Sequence, residues 1–167
     1  VFATWNERTR KSLVLNIGLA LSVVLLTNFF IFLINPSETG TPSERYRFEP
    51  PGWVIGLVWI IIFAGLGAAR WLVIENRDRL IKNTRVKNTN WVFFLLLFCA
   101  AYPFYTLGLR SVVMGLIGNA ATCVFALWVA SQVRRRSLTA ALLVSTVAVW
   151  VTFASLLIVE QLRGRSF

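Results

Sequence analysis

Apolar residues gather into five long blocks along this chain, separated by short polar or charged stretches. The blocks cover residues 12–34, 53–74, 91–109, 112–133 and 138–159. A run of about 18 or more apolar residues reads as a helix that crosses a membrane. At about 1.5 Å per residue, such a block can cross a hydrocarbon core of about 30 Å. The third block is the shortest, and Pro103 interrupts it. A spanning helix tolerates proline where its neighbours satisfy the freed carbonyl. The pattern therefore predicts an all-α integral membrane protein, a five-transmembrane-helix bundle that uses residues 1–167 as a single domain.

The joints between blocks differ in kind. Residues 35–52 contain Pro36, Gly40, Pro42, Pro50, Pro51 and Gly52 around a charged and aromatic centre, Ser43 to Phe48. That composition suits a lid lying on the bundle. Pro50-Pro51 can open the second helix, because the first turn needs no backbone N–H donors. Residues 75–90 are polar and basic, and are expected to extend the flanking helices into water. Arg110-Ser111 and Arg134 to Ser137 leave room only for tight antiparallel hairpins.

Composition agrees with the blocks. Hydrophobic residues make up 57% of the chain and charged residues only 14%, against roughly a quarter charged in a soluble domain. The first block follows Arg8, Arg10 and Lys11 as a signal peptide would. Its apolar run exceeds the roughly 7–15 residues of a signal core, so it reads as a retained span.

The net charge of +10 could suggest a nucleic-acid partner, but its distribution does not. With five spans, 12 of the 17 lysines and arginines fall on the side of the N-terminus and the second and fourth loops. The positive-inside rule places that side in the cytoplasm, and the first loop and C-terminus opposite. The excess is a topology signal that also suits anionic headgroups, and no nucleic-acid partner is expected.

Small residues recur at helical spacing in three blocks: Gly56, Ala64, Gly67 and Ala68; Gly115, Gly118, Asn119, Thr122, Ala126 and Ala130; Ser145, Ala148, Thr152 and Ser155. Such stripes let membrane helices approach closely, within one bundle or across a homodimer seam. Cys99 and Cys123 both fall inside predicted spans and read as small apolar packers.

Several chemistries are missing. The chain has no histidine, so imidazole catalysis and His-ligated metal or haem are excluded. None of its seven acids, Glu7, Glu38, Glu44, Glu49, Glu75, Asp78 and Glu160, lies in mid-span. Proton-coupled transport usually needs such a carboxylate. No metal site, phosphate-binding glycine loop or nucleophile elbow is present in the sequence. What remains is aromatic: seven Trp, thirteen Phe and three Tyr. Trp5, Trp53, Trp71 and Trp91 fall near span ends, as interfacial aromatics do. Trp59, Trp128 and Trp150 lie deeper, where an indole N–H needs a polar contact or a ligand.

The head of the second block reads Pro50-Pro51-x-Trp53-x-x-Gly56-x-Val58-Trp59. It resembles the P-P-x-W-x-F-G-P-V-W-T-x-L-Y of the TspO/MBR family, the translocator or tryptophan-rich sensory proteins. Ile55, Leu57, Ile60 and Phe63 replace the family's Phe, Pro, Thr and Tyr, and Phe48 stands where the family often has Trp. Trp150-Val151-Thr152-Phe153-Ala154 in the last block is similar to the family's W-V-S-F-A. Elsewhere the chain departs. Cys99 and Tyr102 occupy the Asn and Trp positions of the family's third helix, Thr146-Val147 replaces a Pro-Tyr pair, and Ile158 replaces an Asn.

The resemblance implies a pocket between the helices, roofed by the first loop, for a porphyrin, another tetrapyrrole or a sterol-like lipid. No covalent cofactor is implied. On this reading Trp53, Trp59, Tyr102 and Trp150 line the pocket. Phe48, Pro50 and Pro51 shape the lid, and Arg45 and Arg47 meet ligand carboxylates. A sensory, regulatory or passive transport role would follow. The alternative is a non-catalytic accessory subunit of a larger, pigment-containing membrane complex, and a homodimer is also open. Light-dependent porphyrin breakdown through Trp59 and Trp150 is the enzymatic alternative, but the chain is expected not to be an enzyme.

Overall fold

The computed structural model describes residues 7–34, 50–75, 82–102 and 112–164, all but a few of them helical. Five helices follow in order: α1 (Glu7–Ile34), α2 (Gly52–Glu75), α3 (Lys82–Ala100), α4 (Val112–Arg134) and α5 (Leu138–Gly164). Four of the apolar blocks lie on α1, α2, α4 and α5, and the third begins on α3. In α1, α2, α4 and α5 the apolar run is long enough to cross a membrane. In α3 the described part is polar from Lys82 to Asn90 and apolar only from Trp91. Residues 103–109, which would complete the expected third span, lie outside the described residues.

The helix ends have local causes. The carbonyl of Pro51 accepts the N–H groups of Val54 at 2.8 Å and Ile55 at 3.3 Å. The proline pair thus stands just ahead of the first turn of α2, not inside it. The Val133 carbonyl accepts the N–H groups of Arg136 and Ser137, at 2.9 and 3.0 Å, and closes α4. Ser137 then caps α5, its Oγ accepting the Ala140 N–H at 3.1 Å.

Hydroxyls inside the helices are satisfied by the turn before. Thr27, Thr122, Ser145, Thr152 and Ser155 each donate to the carbonyl four residues back, at 2.7–2.9 Å. In hydrocarbon no water competes for these groups, so the back-bond hides a polar atom without a partner helix.

α2 lies centrally, against α1, α3 and α5; α4 pairs most extensively with α5 and also touches α3. One contiguous core joins Phe63, Leu66 and Val73 of α2, Leu95 and Leu96 of α3, Val129 and Val133 of α4, and Val144, Val147 and Val151 of α5. The small-residue stripes are used inside the bundle. Ala126, Ala130, Ala140 and Ala148 are buried. Gly67 meets the α1 backbone, where an added Cβ would come within 2.8 Å of the Asn16 carbonyl oxygen and of Ile17 Cα. Large apolar side chains face outward on every helix, among them Leu15 and Phe29, Ile61, Phe94, Ile117 and Leu142. Outward leucines and phenylalanines around small buried residues fit a lipid solvent.

Two polar contacts lie near the basic ends of the helices. Asn16 of α1 donates through Nδ2 to the Ser12 carbonyl at 2.8 Å, and its Oδ1 accepts from the guanidinium of Arg70 on α2. The Arg70 guanidinium also stands 6.0 Å from the centre of the Phe93 ring. Asn88 and Thr89 belong to the stretch expected in water, yet both are buried. The Asn88 amide donates to the Gln132 carbonyl at 3.1 Å. Loop two is therefore shorter than its polarity implies, and its last turn packs against α4.

Candidate functional site

Trp59 sits about two turns into α2 on the face shared with Phe63, whose ring centre is 5.9 Å away. Its other neighbour is Tyr102, at 4.9 Å with the rings tilted by 51°. Tyr102 follows the end of α3, three residues beyond buried Cys99. The two aromatic positions expected in the pocket from different helices are thus in direct contact, and both are half-buried.

Asn119 of α4 stands beside the Tyr102 hydroxyl. It is 0% exposed. Neither its amide oxygen nor its amide nitrogen makes a hydrogen bond of good geometry. A primary amide carries two donors and an acceptor, and one phenol can serve only part of that set. A buried polar group left unmatched costs about 1–3 kcal/mol. One turn on, Cys123 Sγ lies 3.7 Å from Thr152 Oγ1 of α5. Both cysteines are free thiols. Trp59, Tyr102 and Asn119 thus bring polar groups from α2, the end of α3 and α4 together inside the bundle, while the Cys123–Thr152 contact lies toward its surface.

The remaining candidates are placed differently. Trp150 is half-buried on α5 and packs on the core, with Phe153 as its ring partner at 5.5 Å. Trp53 is 72% exposed. It precedes Trp59 by six residues, about 240° around a helix, so the two indoles leave α2 on different faces. Pro50 and Pro51 are half-buried at the head of α2. Arg45, Arg47 and Phe48 lie outside the described residues. Asn119 was not among the pocket positions expected from sequence, since it stands in a small-residue stripe. The available signal was a primary amide, whose several donors and acceptor need partners, in mid-span.

A multi-pass helical membrane bundle with an aromatic and amide-bearing interior is the class these features define. The chain belongs to the TspO/MBR family, whose profile matches residues 17–163. No curated protein matches the chain in sequence.

Proposed function

We propose that this protein binds a hydrophobic, planar ligand, a porphyrin or other tetrapyrrole or a lipid, between its helices and acts without catalysis. The observation that carries this reading is Asn119, fully buried with an amide that the Tyr102 hydroxyl matches at most in part, beside the Trp59–Tyr102 pair. Ring faces supply stacking area for a flat ligand, and an unspent amide supplies the polar contact that fixes its orientation. Trp150 extends the apolar wall along α5. Trp53, Pro50 and Pro51 form the rim, where Phe48, Arg45 and Arg47 of the first loop would close over the ligand and pair with its carboxylates. The bundle crosses the membrane five times with the N-terminus in the cytoplasm, as the charge bias requires.

The test is a titration of the detergent-solubilised protein with protoporphyrin IX, followed by tryptophan quenching and by the porphyrin's main absorption band. Saturable binding at roughly micromolar concentration that weakens in Asn119→Leu without loss of fold supports the pocket. Unsaturable quenching, equal in both proteins, rejects it.

The wide exposure of Trp53 favours a second reading, an accessory subunit that meets a partner through the rim of the bundle. Gentle solubilisation of native membranes separates the two. Migration of the chain with a larger complex, without intrinsic porphyrin binding, would favour the subunit.

A further inference from the structure

The interhelical site leaves the outer face of α3 and α4 unused. Lys87, Trp91, Phe94 and Phe98 stand at i, i+4, i+7 and i+11 on α3, a single stripe. Phe125, Trp128 and Gln132 stand at i, i+3 and i+7 on α4. The stripes meet. Trp91 is edge-on to Trp128 at 4.7 Å, Phe98 is edge-on to Phe125 at 6.1 Å, and Phe125 stacks on Trp128 at 6.0 Å. The bond from Asn88 to the Gln132 carbonyl fixes the register below them. This aromatic wall faces lipid, with Phe94 50% and Trp128 40% exposed.

At one end the wall turns cationic. Lys87 is exposed one turn before Trp91, and Arg135 is exposed one turn past Gln132 and two past Trp128, whereas Arg134, six residues after Trp128, leaves α4 on another face. From Trp128 to Arg135 is seven residues, about 10 Å along a helix. One leaflet's acyl layer is about 15 Å deep, so rings about 10 Å from cations at the headgroup level lie among the acyl chains. The described acids at this end of the bundle, Glu7 and Glu75, belong to α1 and α2, not to α3 or α4.

We propose that the α3–α4 face binds one anionic phospholipid, its chain along the rings and its phosphate held by Lys87 and Arg135. Neutral lipid would contact the same rings but leave the two cations without a counter-charge. A polypeptide partner would need an acidic side chain at the headgroup level to answer the cations, whereas an anionic phospholipid carries its charge there by its own structure.

The experiment is native mass spectrometry of the full chain released from bilayer nanodiscs containing equal phosphatidylcholine and phosphatidylglycerol. The wild type is expected to retain phosphatidylglycerol at least about fivefold over phosphatidylcholine, the order of one cation's effect at a membrane surface. The double variant K87Q/R135Q should bring that ratio close to one, and Trp128→Leu should lower retention of both lipids. Arg10→Gln, which removes an exposed cation from α1, should leave the ratio unchanged. These substitutions are at exposed positions, and an unchanged unfolding midpoint confirms the fold. Equal retention of both lipids by the wild type overturns the proposal, as does full selectivity in K87Q/R135Q. Efficient disulfide dimerisation of Phe94→Cys in the bilayer would also overturn it, because a second copy would then cover the face.

Discussion

Gly67 of α2 and Asn16 of α1 approach so closely that a single methyl group would collide with main chain. A Cβ at residue 67 would lie 2.8 Å from the Asn16 carbonyl oxygen, a backbone atom that moves only with its helix. Gly67→Val should therefore separate α1 from α2 and destabilise the bundle by about 1–3 kcal/mol, the usual range for overpacking. Gly65→Ala is the control, since its Cβ would meet only the Leu143 side chain, at 3.6 Å. Thermal unfolding in detergent should show a lowered midpoint for Gly67→Val alone. Equal midpoints would mean that the α1–α2 contact contributes little to stability.

That same contact brings Arg70 onto the amide of Asn16. A hydrogen bond to a charged group contributes about 1.5–3 kcal/mol. Asn16→Leu and Arg70→Met should each destabilise the protein, and the double variant should cost clearly less than the two together. A double-mutant cycle on unfolding free energies measures this coupling. Strict additivity would show that the guanidinium is satisfied elsewhere, at the headgroup level.

Much of the fold was legible because membrane helices announce themselves by length. The blocks at 12–34, 53–74, 112–133 and 138–159 fall on α1, α2, α4 and α5. The start of α3 was less legible, because its first turns are polar. Asn88 is buried through a bond to a carbonyl 44 residues away, which no local pattern reports. The site was legible in part. Trp59 and Tyr102 were named from motif positions, and their contact follows from α2 packing on α3. Asn119 was hidden among small residues, because a stripe marks close approach and says nothing of which polar atom stays unmatched.

Asn119 separates binding from stability. Replacing a buried amide that is hydrogen-bonded only in part by an apolar group of similar size removes a cost of about 1–3 kcal/mol. Asn119→Leu should therefore unfold at the same temperature as the wild type or higher, while losing affinity for protoporphyrin IX. The two readouts move in opposite directions only if the amide serves a ligand. A less stable Asn119→Leu with unchanged affinity would assign the residue to packing against Tyr102.

Trp59 and Trp53 are six residues apart and should behave as different residues. Trp59 touches Tyr102 and Phe63 inside the bundle, whereas Trp53 is largely exposed at the head of α2. An aromatic pair contributes about 0.5–1.5 kcal/mol beyond its buried area, or roughly 2- to 13-fold in affinity. Trp59→Leu should weaken porphyrin binding at least to that extent, read from the porphyrin absorption band so that loss of an indole does not disturb the signal. Trp53→Leu should cost clearly less affinity than Trp59→Leu, because its indole leaves α2 on another face and meets the ligand only at the rim. Equal loss in both variants would centre the ligand on the rim and not beside Tyr102 and Asn119. Loss in Trp53→Leu alone would move the site out of the bundle altogether.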